Sequence, residues 1–534
     1  MAPFDCTKTV TTTSTSTSEN AAGKSLVARP RDAAAVILIR HDSDPGDPVL
    51  FWARRSARMA FLGGFHAFPG GQREESDAAV RIQGCDDSER ATMIACAVRE
   101  LFEELGVLLA RGVDTLTKGQ RASLLDDIES GRMTFAEMLE HYGLQIDADD
   151  FTFVGRWVTP PFSPRRFDTW FFLAGCPARQ VPEIRTPEFD EGGWITATEA
   201  FEKWKRSDML GAPPVIHAVK TLSHGLTSDL VDRFLAIPQA HLEPVRRIEF
   251  RPGFICFPVR TPTKPPATHT NCYLVGDDEI VIIDPASPYE DEQAELAKCV
   301  DELIAEGRVI REIILTHLHP DHIGGVNNLV AHLDGRVPVA AHRLTAEALK
   351  GTIKVDRFIE DGDRIELAGE PSITLEAMHT PGHARGHLCF YNQETGALIT
   401  GDNIVGLGSV LIDPPEGKMR DYLNSLQRIK ELPNLTVLFG AHGPAVGNPR
   451  EKIAEYIIHR LEREANILDA VRRQPSTPKE IVEAVYTDID PRAFPMAERA
   501  VLAHLEKLQE DELVKLDHDG RFTAAAGEVI STEF

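Results

Sequence analysis

The sequence predicts a multidomain α/β protein: two sheet-based domains, each presenting metal-binding side chains, followed by a helical tail. Three patterns predict it. Short β-branched runs between 279 and 442 repeatedly end in His or Asp. One amphipathic stretch near 100 carries three carboxylates on a single face. Beyond 451 the apolar spacing turns helical.

At 534 residues, two to four domains with sizeable cores are expected. Residues 1–31, with the Thr- and Ser-rich run at 9–18, read as a disordered tail. The eight Cys follow no CxxC spacing, which points to reduced thiols in a cytoplasmic protein rather than a disulfide framework. No apolar run approaches the length of a membrane span, and no charged segment precedes an apolar signal core, so neither membrane nor secretion is expected. The net charge of −25 argues against bulk attraction to nucleic acid or anionic lipid.

The first domain is placed at 32–240, opening on the strand-like Ala34-Ala35-Val36-Ile37-Leu38-Ile39. Its helix around 100 turns Ile94, Val98, Leu101, Leu105 and Leu108 inward. Glu100, Glu103 and Glu104, at i, i+3 and i+4, share the other face, where like charges repel by a few tenths of a kcal/mol per pair. A divalent cation reverses that repulsion, and oxygen-only ligands suit Mg²⁺ or Mn²⁺. With the loop Phe68-Pro69-Gly70-Gly71 and Arg99 before the acids, the segment resembles the box of the Nudix hydrolases, whose fold is an α/β/α sandwich. The resemblance implies that Glu103 and Glu104 bind Mg²⁺, Glu100 helps polarise water, and Arg99 orients the acids. Gly70 and Gly71 would cradle the substrate. Asp77 stands where that family usually has Glu, and about fourteen extra residues separate it from Arg99. Such an insertion, with Trp157-Val158-Thr159-Pro160-Pro161, resembles the branch of peroxisomal coenzyme A diphosphatases. Arg165 and Arg166 are candidate phosphate contacts, or simply a surface ion pair.

A connector around 235–245 leads to the second domain, 246–450. There Val309-Ile310-Arg311-Glu312-Ile313-Ile314-Leu315 reads as a buried strand that runs into Thr316-His317-Leu318-His319-Pro320-Asp321-His322. Four metal-binding side chains fall within six positions. His317 and His319, at i and i+2 off a strand end, can share one ion; Asp321 and His322 can serve a second. His383, Asp402 and His442 follow later strand-like runs, and Asp284 ends an earlier one. This pattern resembles the metallo-β-lactamase superfamily, an αββα sandwich. The resemblance implies one metal on His317, His319 and His383, a second on Asp321, His322 and His442, and Asp402 bridging them. Asp284 would orient ligands without binding metal, and His387 would be a packing residue. A ligand set rich in nitrogen and free of Cys favours two zinc ions over Mn or Fe. Two cations lower the pKa of a shared water towards roughly 7 and so generate hydroxide, which Asp321 would also orient.

After 451, three helical stretches and a hairpin around Asp517-His518-Asp519-Gly520 describe a winged helix, assigned to 451–534. Thr477 caps its second helix, with Pro478 at the first position. Between 451 and 524 there are 11 Lys/Arg against 16 Asp/Glu, which favours packing or homodimerisation over RNA contact. With this tail, the second domain resembles the β-lactamase-like protein 2 group, associated with cleavage of single-stranded RNA, and also thioesterases of the glyoxalase II type. The expectation is a two-site, metal-dependent hydrolase acting on a small pyrophosphate, such as coenzyme A, and on an ester or thioester. The alternative is a single-stranded RNA endonuclease with a degenerate, nucleotide-binding Nudix module.

Overall fold

The computed structural model describes residues 28–59, 61–237, 245–487 and 489–525. Nearly all of the N-terminal tail, most of the connector and the last nine residues lie outside this set.

The first sheet is ordered His66–Ala67, Val49–Arg55, Arg31–Arg40, Phe167–Cys176, Thr152–Val158, with Gly70–Gln72 also paired to Arg31–Arg40 and Phe189–Thr196 to Val49–Arg55. Arg31–Arg40 lies parallel to Phe167–Cys176 over ten residue pairs. Helix Ser88–Leu105 packs on one face of this sheet and buries Ile94, Val98, Leu101 and Leu105 completely. Asp87 caps it, accepting from the amides of Glu89 and Arg90, and Gly106 ends it in the left-handed conformation at φ +67°. The extra residues of the box form a short strand, Ile82–Gln83, paired with Ile146–Asp147, and then the first three turns of this helix. The insertion therefore lengthens the helix before Arg99 and leaves the acids in place.

The second domain holds two facing sheets. One runs Ile248–Arg251, Phe254–Arg260, His269–Gly276, Glu279–Ile283, Val309–Leu315, Val339–Ala341, Arg357–Phe358; the other runs Arg364–Leu367, Ile373–His379, Leu388–Asn392, Ala397–Gly401, Val437–Gly440. Glu279–Ile283 and Val309–Leu315 are parallel neighbours, as are Ala397–Gly401 and Val437–Gly440. Val309–Leu315 leads into His317, His319, Asp321 and His322, Ala397–Gly401 into Asp402 and Val437–Gly440 into His442, while His383 follows the antiparallel strand Ile373–His379.

The tail forms helices Pro449–Arg473, Pro478–Val485 and Phe494–Glu510 and the hairpin Val514–Leu516/Phe522–Ala524. Thr477 and Glu480 make a reciprocal capping box. Arg499 pairs with Asp413, and Arg420 with Glu510 and Asp511, which seats the tail on the second domain.

The two sheet domains share apolar packing. Phe65 meets Phe250 edge-on at 5.7 Å, Trp204 Nε1 donates to the Phe250 carbonyl at 3.2 Å, and Asn448 Nδ2 donates to the Ala57 carbonyl at 2.6 Å. Gly447 lies so close to the first domain that a Cβ there would fall 2.5 Å from the Gly63 carbonyl oxygen. Only glycine allows that approach.

Candidate metal centre and carboxylate cleft

His317, His322, His383 and His442 are each anchored through one ring nitrogen and present the other. Thr316 Oγ1 spends its proton on Asp284 at 2.6 Å, so it accepts from His317 Nδ1 at 3.0 Å. His383 Nδ1 donates to the Leu411 carbonyl and His442 Nδ1 to the His269 carbonyl, both at 2.9 Å. His322 Nδ1 donates to Asp284 Oδ2 at 2.8 Å. The free nitrogens converge: His319 Nδ1 lies 3.0 Å from His317 Nε2 and 2.9 Å from His383 Nε2. Lone pairs turned on one another repel, and a shared cation removes that repulsion.

Asp402 stands between two groups of donors. Its Oδ2 is 3.5 Å from His383, and its Oδ1 is 3.5 Å from His322 and 3.3 Å from His442. Asp321 Oδ2 lies 3.6 Å from His442 Nε2. Donor atoms of His317, His319, His383 and Asp402 fall within 4.8 Å of one another, and so do those of Asp321, His322 and His442. His322 Nε2 and Asp402 Oδ1 are buried without a hydrogen-bond partner. Orphaned atoms inside two compact donor sets fit a pair of divalent cations.

Electrostatics agree with that reading. Burial, with the neighbouring imidazoles, holds His317 well below the usual histidine range, and burial brings His383 down to about 4. Burial also opposes charge on His322, yet the Asp402 and Asp284 carboxylates raise it well above that range. His387 is fully buried, and its Nε2 accepts the Asp402 amide at 3.2 Å. It thereby fixes the backbone of Asp402.

A cleft of about 630 Å³ opens over the metal centre. Its walls include Val405 and Leu411 and, from the tail, Arg460, Arg463, Met496 and Ala500. Nothing in the sequence marks the tail as a wall of this cleft, because the lining residues show neither motif nor spacing. Arg460 is buried, donating to Ser409 and the Val410 carbonyl, and Arg463 stacks over the Tyr486 ring at 4.0 Å.

In the first domain, Arg99 forks onto Asp77 with contacts of 2.8 and 3.1 Å across the insertion. Arg99 also holds Glu100 at 2.9 Å and Glu103 at 3.0 Å. Glu104 Oε2 accepts the Gly70 amide at 2.8 Å, and a Cβ on Gly71 would lie 2.4 Å from the Glu100 carboxyl carbon. Gly70, Gly71, Glu100 and Glu104 line one cleft of about 800 Å³ together with Arg165 and Arg166, whereas Glu103 is turned to Arg99 outside its lining. Arg166 donates to the Thr159 and Ala28 carbonyls. Burial raises Glu100 to about 7, raises Glu103, and raises Glu104 well above the carboxylate range, with neighbouring carboxylates adding to each. Desolvated acids around a glycine loop fit a divalent cation bound through oxygen.

Three family models match separate stretches of the chain. Residues 265–442 match the metallo-beta-lactamase superfamily model, 477–521 the beta-lactamase associated winged helix domain, and 85–222 the NUDT19 Nudix domain. A beta-lactamase-like protein 2 homolog from Caenorhabditis elegans is 32% identical over 263 residues, covering 48% of this chain and 84% of that protein. An atrochrysone carboxyl ACP thioesterase from Paecilomyces divaricatus is 28% identical over 320 residues, covering 57% and 92%. A beta-lactamase domain protein from Burkholderia ambifaria superposes with a TM-score of 0.46 at 22% identity, covering 54% of this chain and 96% of that one. A NUDIX hydrolase from Alicyclobacillus acidocaldarius gives 0.33 at 29% identity, covering 38% and 95%.

Proposed function

The chain belongs to the metallo-beta-lactamase superfamily, set between a NUDT19-type Nudix domain and a winged helix; on that premise we propose that this hydrolase cuts two different bonds of acyl-coenzyme A-like molecules. The observation that carries the reading is Asp402 facing both donor groups at 3.3–3.5 Å. His317, His319 and His383 would hold one zinc ion and Asp321, His322 and His442 the other, with Asp402 between them. Bound there, two cations polarise a carbonyl and lower the pKa of a water to roughly 7.

The protein's own groups then position and discriminate. Asp321 faces the cleft and orients the attacking water. Val405, Leu411 and Met496 exclude solvent from an acyl chain. Among the described residues, Asp321, Asp402 and Asp413 are the only carboxyl groups lining the cleft, and Asp413 is paired with Arg499. No carboxylic acid is therefore left among the described lining residues to protonate a leaving group. A thiolate, with a parent pKa near 8.5, departs without one far more readily than an alkoxide does. This favours a thioester over an RNA phosphodiester, and a relative named as a thioesterase supports the same choice.

In the first domain, Glu100 and Glu104 would hold Mg²⁺ or Mn²⁺, with Glu103 reaching it by turning from Arg99. Arg165 and Arg166 would meet the phosphates. Water adds to one phosphorus, and the bridging P–O bond breaks.

The test is mass spectrometry of the products after metal-loaded protein meets an acyl-coenzyme A. Free coenzyme A is expected from the zinc site; acyl-phosphopantetheine with adenosine 3′,5′-bisphosphate is expected from the Nudix site. Untouched acyl-coenzyme A, with cleavage of single-stranded RNA by the same preparation, overturns the reading.

A further inference from the structure

A second, apolar cavity of about 170 Å³ lies between the two sheet domains. Trp157, Phe162 and Phe171 supply its first-domain wall; Val245, Ile248, Phe250 and Pro444 supply the opposite one. It adjoins the carboxylate cleft: Phe61, Leu62, Phe167, Phe171, Ala212 and Pro214 line both. An apolar recess left unfilled forgoes dispersion contacts that an apolar guest would restore. The walls here are fixed relative to one another by the Phe65–Phe250 contact and the Gly63–Gly447 apposition. An apolar cavity of about 150 Å³ suffices for a benzene-sized guest.

We propose that this cavity receives the apolar arm of a phosphoanhydride whose charged end lies in the Gly70–Glu104 cleft, so that the metallo-beta-lactamase domain builds part of the Nudix domain's specificity. The proposal rests on the Nudix reading given above. The cleft requires a ligand of two characters. Glu100 and Glu104 with a divalent cation, and Arg165 and Arg166, suit a pyrophosphate; the adjoining aromatic chamber suits about six carbons of alkyl chain or one ring. Such an arm can be attached directly to the diphosphate or reach the chamber through a spacer such as pantetheine.

The discriminating experiment uses two homologous series: alkyl esters of adenosine diphosphate from methyl to decyl, and acyl-coenzymes A from acetyl to dodecanoyl. Affinity is measured by titration calorimetry on the full chain carrying both Glu104→Gln and Asp321→Ala, so that neither site consumes the ligand, and turnover on the wild type. Burying each methylene predicts a gain of about fourfold in affinity, ending near six carbons. A gain confined to the alkyl esters places the arm next to the diphosphate; a gain confined to the acyl-coenzymes A places it beyond the spacer. Ala212→Phe, which fills the chamber, is expected to flatten the dependence, and Val245→Ala to move its end to longer chains. Binding that is independent of chain length in both series overturns the proposal, whatever the turnover. Chain-length-dependent binding without hydrolysis upholds the chamber and refutes the Nudix activity instead.

Discussion

Asp284 Oδ2 lies 2.8 Å from His322 Nδ1, and the same carboxylate accepts the Thr316 amide at 2.8 Å and its hydroxyl at 2.6 Å. One buried acid therefore orients the imidazole that faces Asp402 and the turn that carries His317. Asp284 itself adopts φ +54°, a left-handed conformation that Asp and Asn tolerate better than most residues. Asp284→Asn preserves this backbone but turns a donor towards His322 or Thr316. Metal affinity or activity should fall 10–100-fold, as for other groups that support metal ligands. Elemental analysis after dialysis should show less than two bound metals per chain; two metals with full activity would remove this role from Asp284.

The two sites should be separable by single substitutions. Asp321→Ala is expected to abolish release of free coenzyme A and spare pyrophosphate cleavage. Glu104→Gln should do the reverse. Product ratios from one acyl-coenzyme A substrate check both, and joint loss in either variant would mean that the sites are not independent.

The winged-helix wall should govern acyl length at the zinc site. Ala500→Trp narrows the cleft and should lower kcat/KM for a dodecanoyl thioester at least tenfold more than for an acetyl one. Equal losses on both would show that the wall does not touch substrate.

Stability should fall in mild acid because of His66. Burial beside Trp52 brings its pKa down to about 4, and Nδ1 is buried without a partner. The unfolded chain takes up a proton below about pH 6.5, whereas the folded one resists until about pH 4. Stability is therefore lost as pH falls through that window, by up to about 3 kcal/mol. His66→Phe should flatten this part of a urea-denaturation profile against pH.

The shared core predicts joint unfolding of the two sheet domains. Calorimetry should show them melting in one transition. Gly447→Val, whose side chain would meet the Gly63 carbonyl, should split that transition in two.

The candidate metal ligands were legible because they follow apolar strands, and local sequence records strand ends well. The box acids were equally plain, as was the Thr477 cap. Partnerships across distance were not. Nothing in the sequence says that His269 offers its carbonyl to His442, or that His387 grips the Asp402 amide. Asp77 could be suspected from the box, but its fork with Arg99 is visible only once the intervening residues fold into a strand and three helical turns. The interdomain cavity left no trace at all, since Trp157, Ile248 and Pro444 are ordinary core residues until two domains bring them together.

The apposition of Gly63 and Gly447 also decides how this protein can be dissected. Cutting the chain near the connector would strip Phe65 from Phe250 and expose Ile248, Phe250 and the glycine ledge to water. A newly exposed apolar patch of that kind drives self-association. Separately expressed halves should therefore precipitate or need a solubilising fusion partner, and loss of activity in such fragments would say nothing about catalysis. Point substitutions in the intact chain are the sound route to assigning each reaction to its site.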